Sequence, residues 1–516
     1  MSGDSRTRFT LINSGVGFIA QMIQLMMKFV SRAAFLHYLG VELLGLNSLF
    51  TNLLGYLNFA ELGIGFAITY SLYRPLAEKD EEQVSAIMTL YKKLYRGIAL
   101  FVLVAGIILS FFVKDLIKGG AGNLSINIQL AFILAVINLS FSYFVTYKRT
   151  LITADQRDYL NQINLAGFNI AGQILQIILL VFTRNFYLYL LIQAIVTLLS
   201  NIRINHVSNK MYPYLKQKSK GKIKPETIGY LKKNVVGMIS SKVGGIVVNS
   251  TDNLVLSIFV GLESVALYAN YLVLLTGVTT LLTQVLSSAT ASIGNLKESG
   301  TTEAHKINTF YKYFSICSLF SIVCAVGFST FSSSFIRIWL GKNMIYSSLP
   351  LFFISFNFLL QTLRVSIINY TNAYGLYWEE RWKPVAESII NLLISVSLVY
   401  FFKLDVIGVL IGTISSNLFV NFLWEIYVVV KLGLKSNLKA AYLLYGSYIF
   451  SGVVGIIVGI SLNAKFNAAN GLVMGILLSL LAILISLILV YFVNTAFYPQ
   501  FAERINLKTI ILRKKR

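Results

Sequence analysis

Four cations lie inside stretches otherwise apolar enough to cross a bilayer: Lys28, Arg32, Lys242 and Arg364. A charge at membrane depth costs at least about 2.5 kcal/mol, so each needs a partner, a wet surface or a route to the interface. Only Glu61 and Asp252 face them as acids at similar depth, since Glu387 and Glu425 near helix ends read as interfacial. Surplus positive charge suits an anionic substrate, and arginine pairs well with phosphate oxygens. Glu61 and Asp252 are candidates for charge balance or for carrying a coupling proton or Na⁺.

Spacing groups these residues. In the first apolar run, Asn13, Gly17, Gln21, Gln24, Lys28 and Arg32 recur at steps of three or four, one face of a helix. The glutamines cannot reach out of the membrane, which argues for a wet surface, although Lys28 and Arg32 have the length to snorkel outward. Weaker stripes run through Asn47, Thr51, Asn58, Glu61 and Thr69, through Lys242, Asn249, Asp252 and Asn253, and through Asn357, Gln361, Arg364 and Asn372. Substrate-binding candidates are therefore Arg32, Lys28, Arg364, Lys242, Gln24 and Gln361. His37 lies beyond the stripe and reads as interfacial.

The elements that must position them are long helices. Of 516 residues, 56% are hydrophobic and 13% charged, with mean hydropathy +0.71. Soluble domains carry about 25% charged residues, and a barrel would alternate in short segments. The expectation is an all-α integral membrane protein of about fourteen transmembrane helices, at 10–38, 43–72, 86–113, 126–151, 159–183, 186–211, 234–260, 264–294, 309–339, 347–374, 385–402, 406–430, 441–463 and 469–496. The first run reads as a retained helix rather than a signal peptide. Most of the 44 Lys and Arg residues then fall on one side, which predicts both termini in the cytoplasm. The net charge of +23 thus reads as topology, not nucleic-acid binding. Cys317 and Cys324 read as core packing, the three histidines never cluster as metal ligands, and no Walker-type glycine loop offers an ATP site. No cofactor is expected.

A basic stretch at 213–233 divides the chain into an N-lobe at 1–212 with six helices and a C-lobe at 234–434 with six more. An extra helix pair follows at 435–498, then a basic tail at 499–516. At an offset of 221, Gly40, Glu42 and Leu46 match Gly261, Glu263 and Leu267, each Gly-x-Glu in a short turn. An even number of helices per half predicts a parallel repeat of two lobes around a central cavity, a transporter plan. A membrane enzyme, such as a polymerase or glycosyltransferase, would need catalytic groups on a sizeable loop.

The segment "SRAAFLHYLGVELLGLNSLFTNLLGYLNFAELGIGFAITYSLYRPLAEKD" at 31–80 resembles the first helix pair of Wzx-type polysaccharide flippases, and "STDNLVLSIFVGLESVALYANY" is similar to the same family. That family is grouped with MATE exporters and the lipid II flippase MurJ. The resemblance implies alternating access and a bacterial cell-membrane location. The cargo it implies is an undecaprenyl-diphosphate-linked oligosaccharide for surface polysaccharide assembly, with Lys28, Arg32, Lys242 and Arg364 holding the diphosphate. Membrane lipids, polysaccharide polymerases and glycosyltransferases are the implied partners. Fourteen helices are more like MurJ, whose last pair helps form a groove for the lipid tail. A MurJ-like lipid II flippase and a MATE-like ion-coupled small-molecule exporter stay open as alternatives.

Overall fold

The structure, a computed structural model, describes residues 3–61, 64–118, 124–216, 251–287, 289–298, 300–466 and 472–497. Over these the chain is helical, and ten helices are long and apolar enough to cross a membrane, eleven when one bent pair is taken as a single span. The protein is an all-α, multi-pass membrane protein. Two compact units divide at Ala266 and Leu267, C-terminal to the expected linker, of which only Pro213–Lys216 is described.

In the first unit, α1 (Gly3–Leu39), α2 (Val41–Leu57), α3 (Ile64–Glu78), α4 (Glu81–Ser110), α5 (Ile128–Ala154), α6 (Asp158–Thr183) and α7 (Phe186–Met211) are followed by α8 at 251–259 and the start of α9 (Leu262–Ser287). Polar caps start several of these helices. Asp80 accepts from the Gln83 N–H at 3.0 Å, Asn127 from Leu130 at 3.1 Å and Asn185 from Leu188 at 3.2 Å, each satisfying a donor that the helix leaves open. Gly40 and Gly261, matched in the sequence repeat, both take positive φ, 85° and 135°. That backbone suits glycine and lets the chain turn at once into the next helix.

With the bent pair taken as one, eleven of the fourteen expected spans fall on these helices, and 10–38, 43–72 and 234–260 are the three outside that set. Helix α1 is one continuous helix of 37 residues, on the order of 55 Å long and more than a bilayer core requires. The expected span 43–72 is two helices, α2 and α3, around a 3₁₀ turn at Asn58–Glu61. Its sequence "AELGIG" disfavours continuous helix, and the turn is pinned from outside: Tyr143 donates to Asn58 at 2.6 Å and Tyr95 to Glu61 at 2.5 Å. The expected span 234–260 is described only from residue 251. Helix α5 bends by 41° between Ile128–Phe144 and Thr146–Ala154. Ser142, Thr146 and Thr150 there return their hydroxyls to carbonyls of the preceding turn, a pattern that bends helices.

Two apolar clusters hold the first unit together. One gathers Phe35, Phe50, Phe132 and Phe186, with Phe35 edge-on to Tyr189 at 4.9 Å. The other gathers Leu72, Ile87, Tyr91, Tyr95 and Tyr143. Small residues set the helix spacing: a Cβ at Gly106 would strike Val136 across the α4–α5 contact, the close approach that membrane helices use in place of a hydrophobic drive.

The second unit continues through α10 (Thr290–Glu298), α11 (Glu303–Leu340), α12 (Ser348–Leu363), α13 (Val365–Tyr374), α14 (Lys383–Tyr400), α15 (Asp405–Ser416), α16 (Leu423–Ile426), α17 (Leu438–Phe466) and α18 (Leu472–Phe497). Cys317 is buried in a small core with Leu282, Leu286 and Val365. The expected span 347–374 breaks at Arg364, between α12 and α13. π-helical turns at Asn417–Phe422 and Tyr427–Gly433 flank α16.

Candidate functional site

Helix α1 shows two exposed faces of opposite character. Ile19, Ile23, Met26 and Val30 are 43–63% exposed on one side. Gln21 and Lys28, also exposed, lie roughly opposite at ~100° per residue. A helix that met only lipid would be apolar all round its open surface. Gln24 donates to the Ala20 carbonyl at 3.3 Å and accepts from Asn169 of α6 at 3.2 Å. Arg32 is half-buried, with Nη2 donating to the Ala266 carbonyl at 3.5 Å. Lys28 makes no ion pair or hydrogen bond among the described residues. The structure therefore keeps Gln24, Lys28 and Arg32 on one polar surface of one helix.

Glu61 belongs to a different place in the same unit. It accepts the Tyr95 hydroxyl and lines a cavity of about 280 Å³ together with Thr69, Arg149, Thr150, Asp158 and Asn161. Arg149 donates through Nη2 to Ser200 at 3.0 Å and Asn201 at 3.3 Å, and makes no ion pair among the described residues. Lys148 beside it is buried and donates to Asn205 and to Asn209, the latter at 2.5 Å. Neither cation is among those that the sequence singles out, since both lie at the end of the expected span 126–151. The signal was present as Asn201, Asn205 and Asn209, spaced one turn apart on one face of α7. Asp252 is buried in the same unit, whereas Lys242 lies outside the described residues.

In the second unit Arg364 and Gln361 part company. Gln361 is exposed on α12. Arg364 turns inward, where Nη2 donates to Glu425 Oε1 at 2.7 Å, Nε to Oε2 at 3.1 Å and Nη1 to Asn417 at 2.8 Å. Lys383 donates to the same Glu425 oxygen at 2.6 Å and to Glu380 at 2.8 Å. Glu387 lies 3.8 Å from Arg364 and accepts from Asn421 at 2.6 Å. Glu425 and Glu387, expected near the interface, are buried within the helix packing, with side chains 0% and 12% exposed. Burial of a carboxylate is tolerable because two cations and an amide shell surround it. Each guanidinium nitrogen of Arg364 already has a partner, so an anionic ligand would have to displace Glu425.

No family model matches this sequence, and no curated protein does. Solved structures do resemble it. The lipid II flippase MurJ in an inward closed conformation superposes with a TM-score of 0.65 at 14% identity, covering 95% of this chain and 99% of that one. An inward-facing multidrug resistance MATE family transporter of the MOP superfamily gives 0.56 at 15% identity, over 82% and 98%. An outward-facing MATE family transporter gives 0.50 at 12% identity, over 83% and 96%. Likeness of this extent at such low identity is a statement about architecture: the chain has the fold of the MOP-superfamily transporters.

Proposed function

We propose that the protein is a flippase that moves a lipid-diphosphate-linked oligosaccharide across the cell membrane by alternating access. The observation that carries this reading is the second exposed face of α1. It bears Gln21 and Lys28, with Gln24 and Arg32 alongside, on the side of the helix away from its apolar surface. Lys28, which makes no ion pair among the described residues, is a good partner for a phosphate oxygen. The fold shared with a lipid II flippase supports a lipid-borne cargo. Both termini lie in the cytoplasm on this reading, and the cargo feeds surface polysaccharide assembly in a bacterium. Arg32 and Lys28 hold the diphosphate, with Lys242 as a further candidate, and Gln24 and Gln361 contact the polar headgroup. Glu61 and Asp252 balance charge or carry the coupling ion.

The test is flipping of a fluorescent undecaprenyl-diphosphate-linked sugar in liposomes. Arg32→Ala should slow it by at least about tenfold, the loss of one charge-assisted contact, while folded protein is recovered in full. Wild-type rates from Arg32→Ala and Lys28→Ala together would sink the diphosphate role. A second reading, an ion-coupled exporter of small molecules, draws on the acid-lined cavity around Glu61 and Asp158. It predicts drug-stimulated proton or Na⁺ exchange that Glu61→Gln abolishes.

A further inference from the structure

The second unit carries a surface groove that the transport reading leaves unused. Its volume is about 460 Å³, and its lining includes Phe419, Leu423, Trp424, Tyr427, Leu432 and Tyr442. Phe419 is 67% exposed, Leu423 45%, Tyr427 44% and Leu432 43%. Two polar tips in the lining are turned to the backbone: the Trp424 indole N–H donates to the Glu379 carbonyl at 3.0 Å and the Tyr442 hydroxyl to the Leu423 carbonyl at 2.7 Å. What these residues offer to the groove is ring and hydrocarbon, with Glu379 as the one carboxylate residue on the lining.

One end of the groove is basic. Lys431 adjoins Leu432, and Lys439 lies one turn before Tyr442 on α17. Both are exposed and neither makes an ion pair among the described residues. The neighbouring turn carries Tyr377, Trp378 and Trp382, each more than 60% exposed, with the Arg381 guanidinium 3.9 Å over the Trp378 ring. Exposed Trp and Tyr beside Lys and Arg mark the depth of lipid headgroups. From Leu432 to Phe419 the helix runs on the order of 20 Å, against ~15 Å for the hydrocarbon of one leaflet. The groove thus has the length of one acyl chain and a cationic end at headgroup level.

We propose that this groove binds an anionic phospholipid, its acyl chain along Phe419–Leu432 and its phosphate at Lys431 and Lys439. The groove shares no residue with the α1 surface assigned to the cargo. The intact protein, purified in detergent, is titrated with phosphatidylglycerol or phosphatidylcholine and followed by native mass spectrometry. Phosphatidylglycerol should bind about thirty-fold more tightly than phosphatidylcholine, the combined effect of two lysines near a lipid headgroup. Lys431→Gln with Lys439→Gln should erase that preference, and Leu423→Trp, which fills the groove, should weaken both lipids alike. Equal binding of the two lipids by the wild type, or a preference that survives the double lysine variant, overturns the proposal. So does undecaprenyl phosphate displacing phosphatidylglycerol from the groove, which would assign it to cargo. Flipping by Arg32→Ala is measured apart from all of these, so the two readings fail independently.

Discussion

Arg32 and Arg364 look equivalent along the chain, each an arginine in a long apolar stretch one turn from a polar amide or amine. Their surroundings divide them. Arg364 is tied to Glu425, Asn417 and, more loosely, Glu387, and Lys383 shares the same carboxylate. Arg32 rests against a backbone carbonyl on a helix whose polar face also exposes Lys28. A membrane cation that the protein neutralises itself serves the fold first. Lys28, exposed on the same face as Arg32 and without an ion pair among the described residues, keeps its charge for something else.

The comparison breaks most visibly at Glu425. Glu425→Ala should destabilise the second unit by about 3–5 kcal/mol, because it strands Arg364 and Lys383 in a buried site. Thermal unfolding in detergent would read this as a large drop in melting temperature. Replacing Arg364 and Glu425 together by Met should recover part of that loss, since the pair then vanishes from both sides. A double variant no more stable than Glu425→Ala would mean that the pair is not the unit of stability.

A smaller effect is expected in the first unit. Tyr95→Phe removes the donor to Glu61 at 2.5 Å and should cost about 1.5–3 kcal/mol, the usual range for a hydrogen bond to a charged group. Chemical denaturation with unchanged m-value checks it. The smallest effect on stability belongs to Lys28→Ala, which should leave the melting temperature where it was while slowing flipping. Should Lys28→Ala lower the melting temperature as much as Tyr95→Phe, the open-face view of α1 is wrong.

Much of the architecture was legible along the chain because helical periodicity is local. The run from Asn13 to Arg32 marked a polar face on α1, and the structure exposes two members of it. The Gly-x-Glu turns were equally legible, and Gly40 and Gly261 do take positive φ. The break at Asn58–Glu61 was less so, because tyrosines from α4 and α5 hold it. Arg149 and Lys148 escaped notice since their asparagine partners come from α7, more than fifty residues away.

What the sequence determined by itself is a membrane protein of long apolar helices, with charge placed sparingly on particular faces. Those properties follow from composition and from a period of ~3.6 residues, which any short window contains. Tertiary structure alone decided which cations are neutralised. Arg364 and Glu425 are 61 positions apart, and Lys383 and Glu425 are 42. An ion pair is a matter of a few ångströms through space, and helix packing rather than sequence distance brings such groups together.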